Sequence, residues 1–249
     1  MKCHGKGQER CNYRGVMRLI IVFVLLGTMH GMAIIAQAGT IGFPAARQQP
    51  LHFRFELVGD SFKEDITGDG EGEANTGRGL VTVAFGLTSW SEVYVRVGAA
   101  EFNVDEALFN GDFGVAYGGG IRFRLFRTAW GDFGLTGQYL RFTSNDNNSA
   151  GIEVEGEWQE FDAAVGFGSR RLGVFQFYGG VAFHRAEMIL RATTTGRETD
   201  LETNIPVRGF VGVHIYPLAD FPLGQFLINV EVRFIGEIPQ FTLGAQYVF

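Results

Sequence analysis

The 249-residue sequence is poor in cysteine, proline and, beyond its first residues, lysine. Its two cysteines, Cys3 and Cys11, precede the main apolar run, which excludes disulfides and thiolate metal sites from the rest of the chain. No apolar stretch beyond the first forty residues reaches the ~20 residues that a membrane-spanning helix needs. Phosphate-binding glycine loops, dinucleotide fingerprints and His-x-x-x-His pairs are also absent from the sequence.

The chain begins with the features of a secretory signal peptide. Arg18 precedes the apolar run Leu19–Leu26, and Ala36-Gln37-Ala38 forms a small-residue cleavage site. We therefore assign residues 1–38 to a signal peptide that is removed after Ala38, with Met17 as the natural start. An uncleaved membrane anchor is the alternative interpretation.

The chain is acidic, with a formal net charge of -6 at pH 7. The first 38 residues hold five basic residues and one acidic residue, so the remainder carries a net charge of -10. Nucleic acid is a poor partner for such a surface, because phosphate backbones bind clustered Lys and Arg.

Beyond Pro50, apolar residues alternate with polar or small residues, which is the period of a β-strand with two different faces. Phe226 to Phe234, for example, has apolar residues on one face and Asn229, Glu231 and Arg233 on the other. A soluble β-sandwich also alternates, but mixed Arg and Glu with almost no Lys suit an enclosed interior. We predict ten strands, at 51–62, 78–88, 91–99, 111–125, 131–143, 151–168, 173–190, 204–216, 225–235 and 239–249.

These segments predict an all-β fold, an antiparallel up-and-down transmembrane β-barrel. Each segment has the ~9–11 residues that a tilted strand needs to cross a bilayer, and the count is even. Eight or twelve strands are the alternatives, because 151–168 and 173–190 change phase near Gln159-Glu160 and His184-Arg185. Residues 39–50 are assigned to a periplasmic N-terminal segment and 51–249 to the barrel.

The connections between the predicted strands are of two kinds. Those in one set, such as 63–77 and 191–203, are mostly long and acidic, whereas the others are shorter and carry aromatics such as Trp90 and Trp130. Long external loops and short periplasmic turns with an aromatic girdle are typical of outer-membrane barrels.

The sequence resembles the small bacterial outer-membrane β-barrels, the broad OmpA-, OmpX- and OmpW-like group. The resemblance rests on the signal peptide, the alternating strands and the final segment Phe241–Phe249. In that family a last strand ending in Phe looks like the signal read by the barrel-assembly machinery, which would assign this role to Phe241, Leu243, Tyr247 and Phe249. The resemblance implies an outer-membrane monomer surrounded by membrane lipid and lipopolysaccharide.

The polar face of the strands supplies the predicted barrel interior. Such side chains form either a salt-bridged filling or the lining of a narrow path for solutes. The predicted interior residues are His52, Arg54, Glu56, Glu92, Tyr94, Arg96, Arg122, Arg124, Asp162, His184, Arg208, His214, Glu231 and Arg233.

We expect a non-enzymatic protein with a structural or narrow-channel role and without a cofactor. One alternative is a surface adhesin or receptor that uses the acidic loops 63–77 and 191–203. A less favoured alternative is an outer-membrane hydrolase, either a protease or a lipid-modifying enzyme. The residues that most resemble a catalytic group are His184, Glu187 and Asp200.

One loop has a partial calcium-binding pattern. Asp65, Thr67 and Asp69 provide oxygen ligands at the first, third and fifth places, followed by Gly70. Thr76 stands at the twelfth place, where Glu is usual, and no helix is predicted beside the loop. A solvated acidic loop is therefore expected rather than a metal site.

Overall fold

The computed structural model describes residues 41–46, 50–68, 71–105, 109–147, 153–203, 207–221, 224–235 and 238–248. The predicted signal peptide and Phe249 lie outside the described residues. Over the described ranges, the chain holds no helix that is long and apolar enough to cross a membrane.

The alternating segments form twelve antiparallel strands. They are β1 (Phe53–Gly68), β2 (Glu71–Gly86), β3 (Ser91–Val104), β4 (Phe109–Asn110), β5 (Gly114–Arg127), β6 (Gly131–Asn147), β7 (Glu153–Ser169), β8 (Phe175–Ala192), β9 (Glu198–Thr203), β10 (Val207–Phe221), β11 (Gly224–Ile235) and β12 (Ile238–Val248).

Ten of these strands make the wall of a closed barrel. Each pairs with the next along the chain, β8 pairs with β10, and β1 pairs with β12 from Arg54–Val248 to Asp60–Thr242. The two short strands, β4 and β9, add to the wall at one end, where β4 pairs with β3 and β9 pairs with β8 and β1. The predicted antiparallel up-and-down barrel is confirmed.

The outer face of the barrel carries an apolar belt above the short turns. Outward side chains such as Val95 (63% exposed) and Val181 (51% exposed) would be costly in water and are stable in hydrocarbon. Exposed Trp90 and Trp130 lie at the turns below the belt, where interfacial aromatics are usual. The belt includes Phe53, Phe55, Val81, Val95, Val97, Val115, Leu135, Phe161, Val165, Phe177, Val181, Phe183, Val207, Val211, Phe234 and Phe241.

Beyond the belt, the wall continues as a narrower extension formed by the ends of β1–β3 and β6–β8 together with β4, β5 and β9. The β11–β12 hairpin ends at the pair Ile235–Ile238, and past it β9 pairs directly with both β8 and β1. Here β9 replaces β10, β11 and β12 between β8 and β1, and β4 and β5 both pair with β3, so ten strands in the wall become eight. The outward residues here are charged pairs, such as Arg141 with Glu157 and Arg191 with Glu198, which places this surface in water.

In the extension, the structure has strands where the sequence predicted long loops. Residues 63–68 and 71–77 belong to β1 and β2, and residues 191–192 and 198–203 belong to β8 and β9, so most of 63–77 and of 191–203 is strand rather than loop. The polar composition of these segments reflects a strand whose outer face meets water. Composition alone does not separate that case from an irregular loop.

On the outer face of β8, a lysine should be far more destabilising within the belt than within the extension. We expect Val181→Lys to lower the free energy of unfolding by about 2–4 kcal/mol, the cost of a cation facing hydrocarbon. Ile189→Lys, beside Glu187 and Asp200, should change it by less than about 1 kcal/mol. Urea unfolding in lipid vesicles measures both, and equal losses would contradict the proposed level of the membrane.

Candidate functional site: the barrel lumen

A six-residue segment, Ile41–Ala46, lies inside the barrel and is called the plug here. Ile41, Phe43, Ala45 and Ala46 are at most 2% exposed. The predicted periplasmic segment 39–50 therefore includes six residues that the structure places in the lumen, whereas Pro50, just before β1, is exposed.

Side chains of the wall satisfy the backbone of the plug. The amides of Ile41 and Gly42 donate to the two carboxylate oxygens of Glu231 at 3.0 and 2.8 Å. Arg122 Nη2 donates to the Ile41 carbonyl at 3.1 Å, and Thr136 Oγ1 donates to the Pro44 carbonyl at 3.0 Å. A buried segment without secondary structure needs such partners, because unpaired backbone groups are costly away from water.

Glycines in the wall leave the space that the plug fills, and aromatic rings of the wall pack against it. The ring of Phe43 stacks on His214 at 5.6 Å and lies 5.8 Å from Tyr178. A Cβ added at Gly168 would come within 2.0 Å of the Phe43 ring, and one at Gly134 within 2.3 Å of Ala45. Glycines in the wall are therefore a steric requirement of the plug.

Past the plug, the lumen contains a layer of paired charges, called the ionic layer here. Arg78 donates to Asp60 and to Glu160, both at 2.6 Å. Arg54 and Arg122 share Glu92 at 2.8 and 2.9 Å. The buried charged residues of the described chain are Glu56, Asp60, Glu64, Glu92, Glu160, Asp162 and Glu231, with Arg54, Arg78, Arg96, Arg122, Arg208 and Arg233.

His184 connects two carboxylates in this layer. Its Nδ1 lies 2.7 Å from Asp162 Oδ1 and its Nε2 lies 3.4 Å from Glu64 Oε2, while Arg208 donates to the other oxygen of Glu64 at 2.8 Å. The buried set contains seven carboxylates and six arginines. When His184 is counted as an imidazolium cation, the positive and negative charges are equal in number. Neutrality matters because an unpaired buried charge is strongly destabilising.

An apolar core fills the lumen beyond the ionic layer. Along β7 the inward residues run from Gly168 beside the plug, through Asp162 and Glu160, to the fully buried Trp158. The core contains Phe62, Ile66, Ala74, Leu80, Ala100, Phe102, Val104, Phe109, Ala116, Leu140, Phe142, Trp158, Ala186, Met188, Leu190 and Leu201. The Trp158 ring lies 5.7–5.9 Å from the rings of Phe62, Phe102 and Phe142.

Most of the predicted interior residues lie in this lumen, and two do not. His52 is exposed at the rim, where its Nδ1 is 2.9 Å from the Pro50 carbonyl oxygen, and Arg124 is partly exposed 4.0 Å from Asp132. The buried residues are Arg54, Glu56, Glu92, Tyr94, Arg96, Arg122, Asp162, His184, Arg208, His214, Glu231 and Arg233.

The sequence analysis missed several charged members of the lumen, among them Asp60, Glu64, Arg78 and Glu160. Glu64 fell within the predicted loop 63–77, and Glu160 sits at a predicted change of phase. A signal was present for β1, because Asp60 and Glu64 continue the even-numbered face of Arg54. Extending that period past residue 62 would have found them.

The remaining predicted sites are not assembled by the structure. His184 is buried in the lumen, whereas Glu187 and Asp200 line an outer surface of the extension. The three residues therefore do not form a common site. Asp65 and Thr67 lie in β1 rather than in a loop, and Asp69 is outside the described residues. Across the described chain, no cluster of three or more His, Cys, Asp or Glu could hold a metal ion.

The predicted assembly signal lies on the outer face of β12. Phe241 is exposed, and Leu243 and Tyr247 follow it at the same period, with Gln240, Thr242 and Gln246 facing inward. Phe249 lies outside the described residues. The role of these residues in assembly stays a prediction.

No family model and no curated protein sequence matches the chain. Solved structures with a similar arrangement include the translocator domain of autotransporter NalP from Neisseria meningitidis, at 10% identity and a TM-score of 0.48, which covers 96% of this chain and 97% of that one. The outer membrane protease OmpT from Escherichia coli is 8% identical, with 82% and 99% covered and a TM-score of 0.45. Outer membrane protein AlkL is 12% identical, with 86% and 97% covered and a TM-score of 0.43.

The closed sheet, its apolar belt and its polar interior together give this chain the fold of an outer-membrane β-barrel. Its function has to be argued from its own residues, because no similarity found here reaches beyond the fold.

The fit of the plug depends on Gly134. We expect Gly134→Ala to displace the plug, since overpacking costs about 1–3 kcal/mol. A cysteine at Ala46, in a Cys3→Ser and Cys11→Ser background, should then react with a maleimide about tenfold faster. On the same strand, Gly137→Ala adds a methyl group with nothing within 4 Å, and it should leave the rate unchanged. Equal rates in the two variants would contradict the placement of the plug.

The ionic layer should be far more sensitive than the exposed ion pairs. Replacing Arg78 by Met leaves Asp60 and Glu160 buried without their partner, and we expect a loss of about 3–5 kcal/mol in unfolding free energy. The matched variant is Arg141→Met, which breaks the exposed pair with Glu157 and should cost about 1 kcal/mol or less. Urea midpoints measure both losses, and a small effect at Arg78 would refute a dry, paired interior.

Proposed function

We propose that this protein is a closed, non-enzymatic outer-membrane barrel with a structural role, and that it does not conduct solutes. The observation that carries the proposal is the filling of the lumen by two successive obstacles, the plug and the apolar core. The narrow-channel alternative requires a continuous polar path. The described lumen instead alternates between packed apolar groups and charged side chains that contact one another or the amides of Gln138 and Gln246.

The plug is the first obstacle, at the end with the short turns. It crosses the lumen between Gly134 on β6, Gly168 on β7 and Glu231 on β11. Four hydrogen bonds join the backbone of Ile41, Gly42 and Pro44 to side chains of the wall. A solute that enters from this side therefore meets a segment held by the wall.

The apolar core is the second obstacle, and it does not depend on the plug. Rings of Phe102, Phe142 and Trp158 pack against one another across the lumen of the extension. Release of the plug alone would leave these contacts intact. A hydrated path through them would require separation of close-packed side chains.

The contacts of the buried histidines favour a structural role over catalysis. The two ring nitrogens of His184 face carboxylates, and the His214 ring packs between Phe43 and Tyr178. A nucleophile beside either ring would be needed for hydrolysis. The described polar contacts of the His184 ring are a hydrogen bond with Asp162 and a 3.4 Å ion pair with Glu64.

The apolar belt supports a place in the outer membrane, since export is expected from the predicted signal peptide. Membrane lipid and lipopolysaccharide would surround the belt, and the assembly machinery would read the last strand. A monomeric state is part of the same proposal.

The extension supports a second candidate function, a surface adhesin or receptor. Paired strands raise a water-facing wall beyond the belt, and its outer residues include Glu155, Glu187 and Glu202. Because Glu187 and Glu202 lie 2.8 and 3.7 Å from Arg185, such a wall would present carboxylates and guanidinium groups side by side to a partner with charges of both signs. Reversal of these three charges to Lys should abolish binding of cells to a host matrix if this function holds.

Planar-bilayer conductance tests the closed barrel directly. We expect silent membranes from the wild type, from Gly134→Ala and from Trp158→Ala, because each single variant leaves one obstacle in place. The double variant Gly134→Ala/Trp158→Ala should give discrete steps.

The matched control replaces an exposed rim residue, in Gly134→Ala/Trp130→Ala, and should stay silent. Heat-modifiable migration in gels confirms that each variant is folded. Reproducible steps from the wild type would refute the closed barrel and favour the channel.

A further inference from the structure

The end of the barrel with the short turns carries a pocket that the lumen does not explain. It has a volume of about 230 Å³ and lies between the turn that joins β5 to β6 and the turn that joins β7 to β8. Arg127, Arg170 and Arg171 line it together with Ser169 and Gln176. Three guanidinium groups thus border one small cavity.

Neutral groups hold two of these arginines in place. Arg170 Nη2 donates to the Thr128 carbonyl at 3.3 Å, and Arg171 Nε donates to the Gly173 carbonyl at 2.7 Å. The Arg171 guanidinium also lies 4.3 Å over the ring of Tyr216. Carbonyls and a ring face orient a cation without cancelling its charge.

The single carboxylate of the pocket is already paired. Asp132 accepts from Arg127 at 2.8 and 3.4 Å and lies 4.0 Å from Arg124. Within the described ranges, neither Arg170 nor Arg171 has a carboxylate within ion-pair distance. The four arginines and Asp132 therefore leave an excess of three positive charges, in a protein with a net charge of -6.

Oriented guanidinium groups match the oxygens of a phosphate, which accept paired hydrogen bonds. The Ser169 hydroxyl and the Gln176 amide nitrogen already donate to the carbonyls of Arg170 and Ser169, at 2.9 and 2.8 Å, so the guanidinium groups carry the match. The rim beside the pocket is apolar, with Trp130 81% exposed and Leu172 63% exposed. This is the level at which lipid phosphates lie. A phosphate could therefore enter either from the leaflet or from the aqueous phase.

We propose that this pocket binds a phosphate group through Arg170 and Arg171. The proposal concerns a site at the rim and does not depend on whether the lumen conducts.

The test uses the full chain in a phosphate-free maltoside detergent and has two arms. Isothermal titration with inorganic phosphate, against chloride at equal ionic strength, detects a free anion. Titration with dihexanoylphosphatidylglycerol, against dihexanoylglycerol without the phosphate, detects a lipid headgroup. We expect Arg170→Gln/Arg171→Gln to weaken binding at least about tenfold, because charge-assisted hydrogen bonds are lost.

The matched control is Arg185→Gln/Arg191→Gln, which removes two exposed arginines from the extension and should leave binding unchanged. Arg170→Lys/Arg171→Lys should recover part of the affinity, which separates the loss of charge from misfolding. Binding in either arm that is weakened by the glutamine pair supports the site and identifies its source. Absence of binding in both arms, or equal weakening by the control, would overturn the proposal.

Discussion

Hydrocarbon offers no hydrogen-bond partner to a backbone, so a sheet that crosses a membrane must pair its first strand with its last. The pairing of β1 with β12 meets that requirement, from Arg54–Val248 to Asp60–Thr242. Once the sheet is closed, the outer face of each strand in the belt contacts hydrocarbon and the inner face contacts the lumen. The outer face of the belt carries Val and Phe, and the inner face carries charges that are held by ion pairs and by neutral side chains such as Gln138 and Gln246.

Closure therefore explains the composition of the lumen. Unpaired carboxylates and guanidinium groups are costly on a buried inner face, and the ionic layer contains equal numbers of negative and positive charges when His184 is counted as a cation. A wall of this diameter also leaves space that side chains must fill. Glycines at 134 and 168 admit the plug, and aromatic residues of the extension close the other end.

Sequence periodicity predicted the wall well where the outer face meets lipid. The predicted segment 131–143 became β6, and the alternation placed Arg54, Glu92 and Arg122 on the inner face. Periodicity failed where the outer face meets water, because polar residues on both faces remove the contrast, as around Glu64. The plug was missed since Ile41–Ala46 has no period, and its partners, such as Glu231, lie far along the chain.

A plug that is held inside the barrel should protect its own backbone amides, and amide hydrogen exchange in lipid nanodiscs measures that protection. The amides of Ile41 and Gly42, which donate to Glu231, should exchange as slowly as strand amides of β6. Exchange as fast as that of the exposed turn at Gly173 would show that the plug lies outside the lumen.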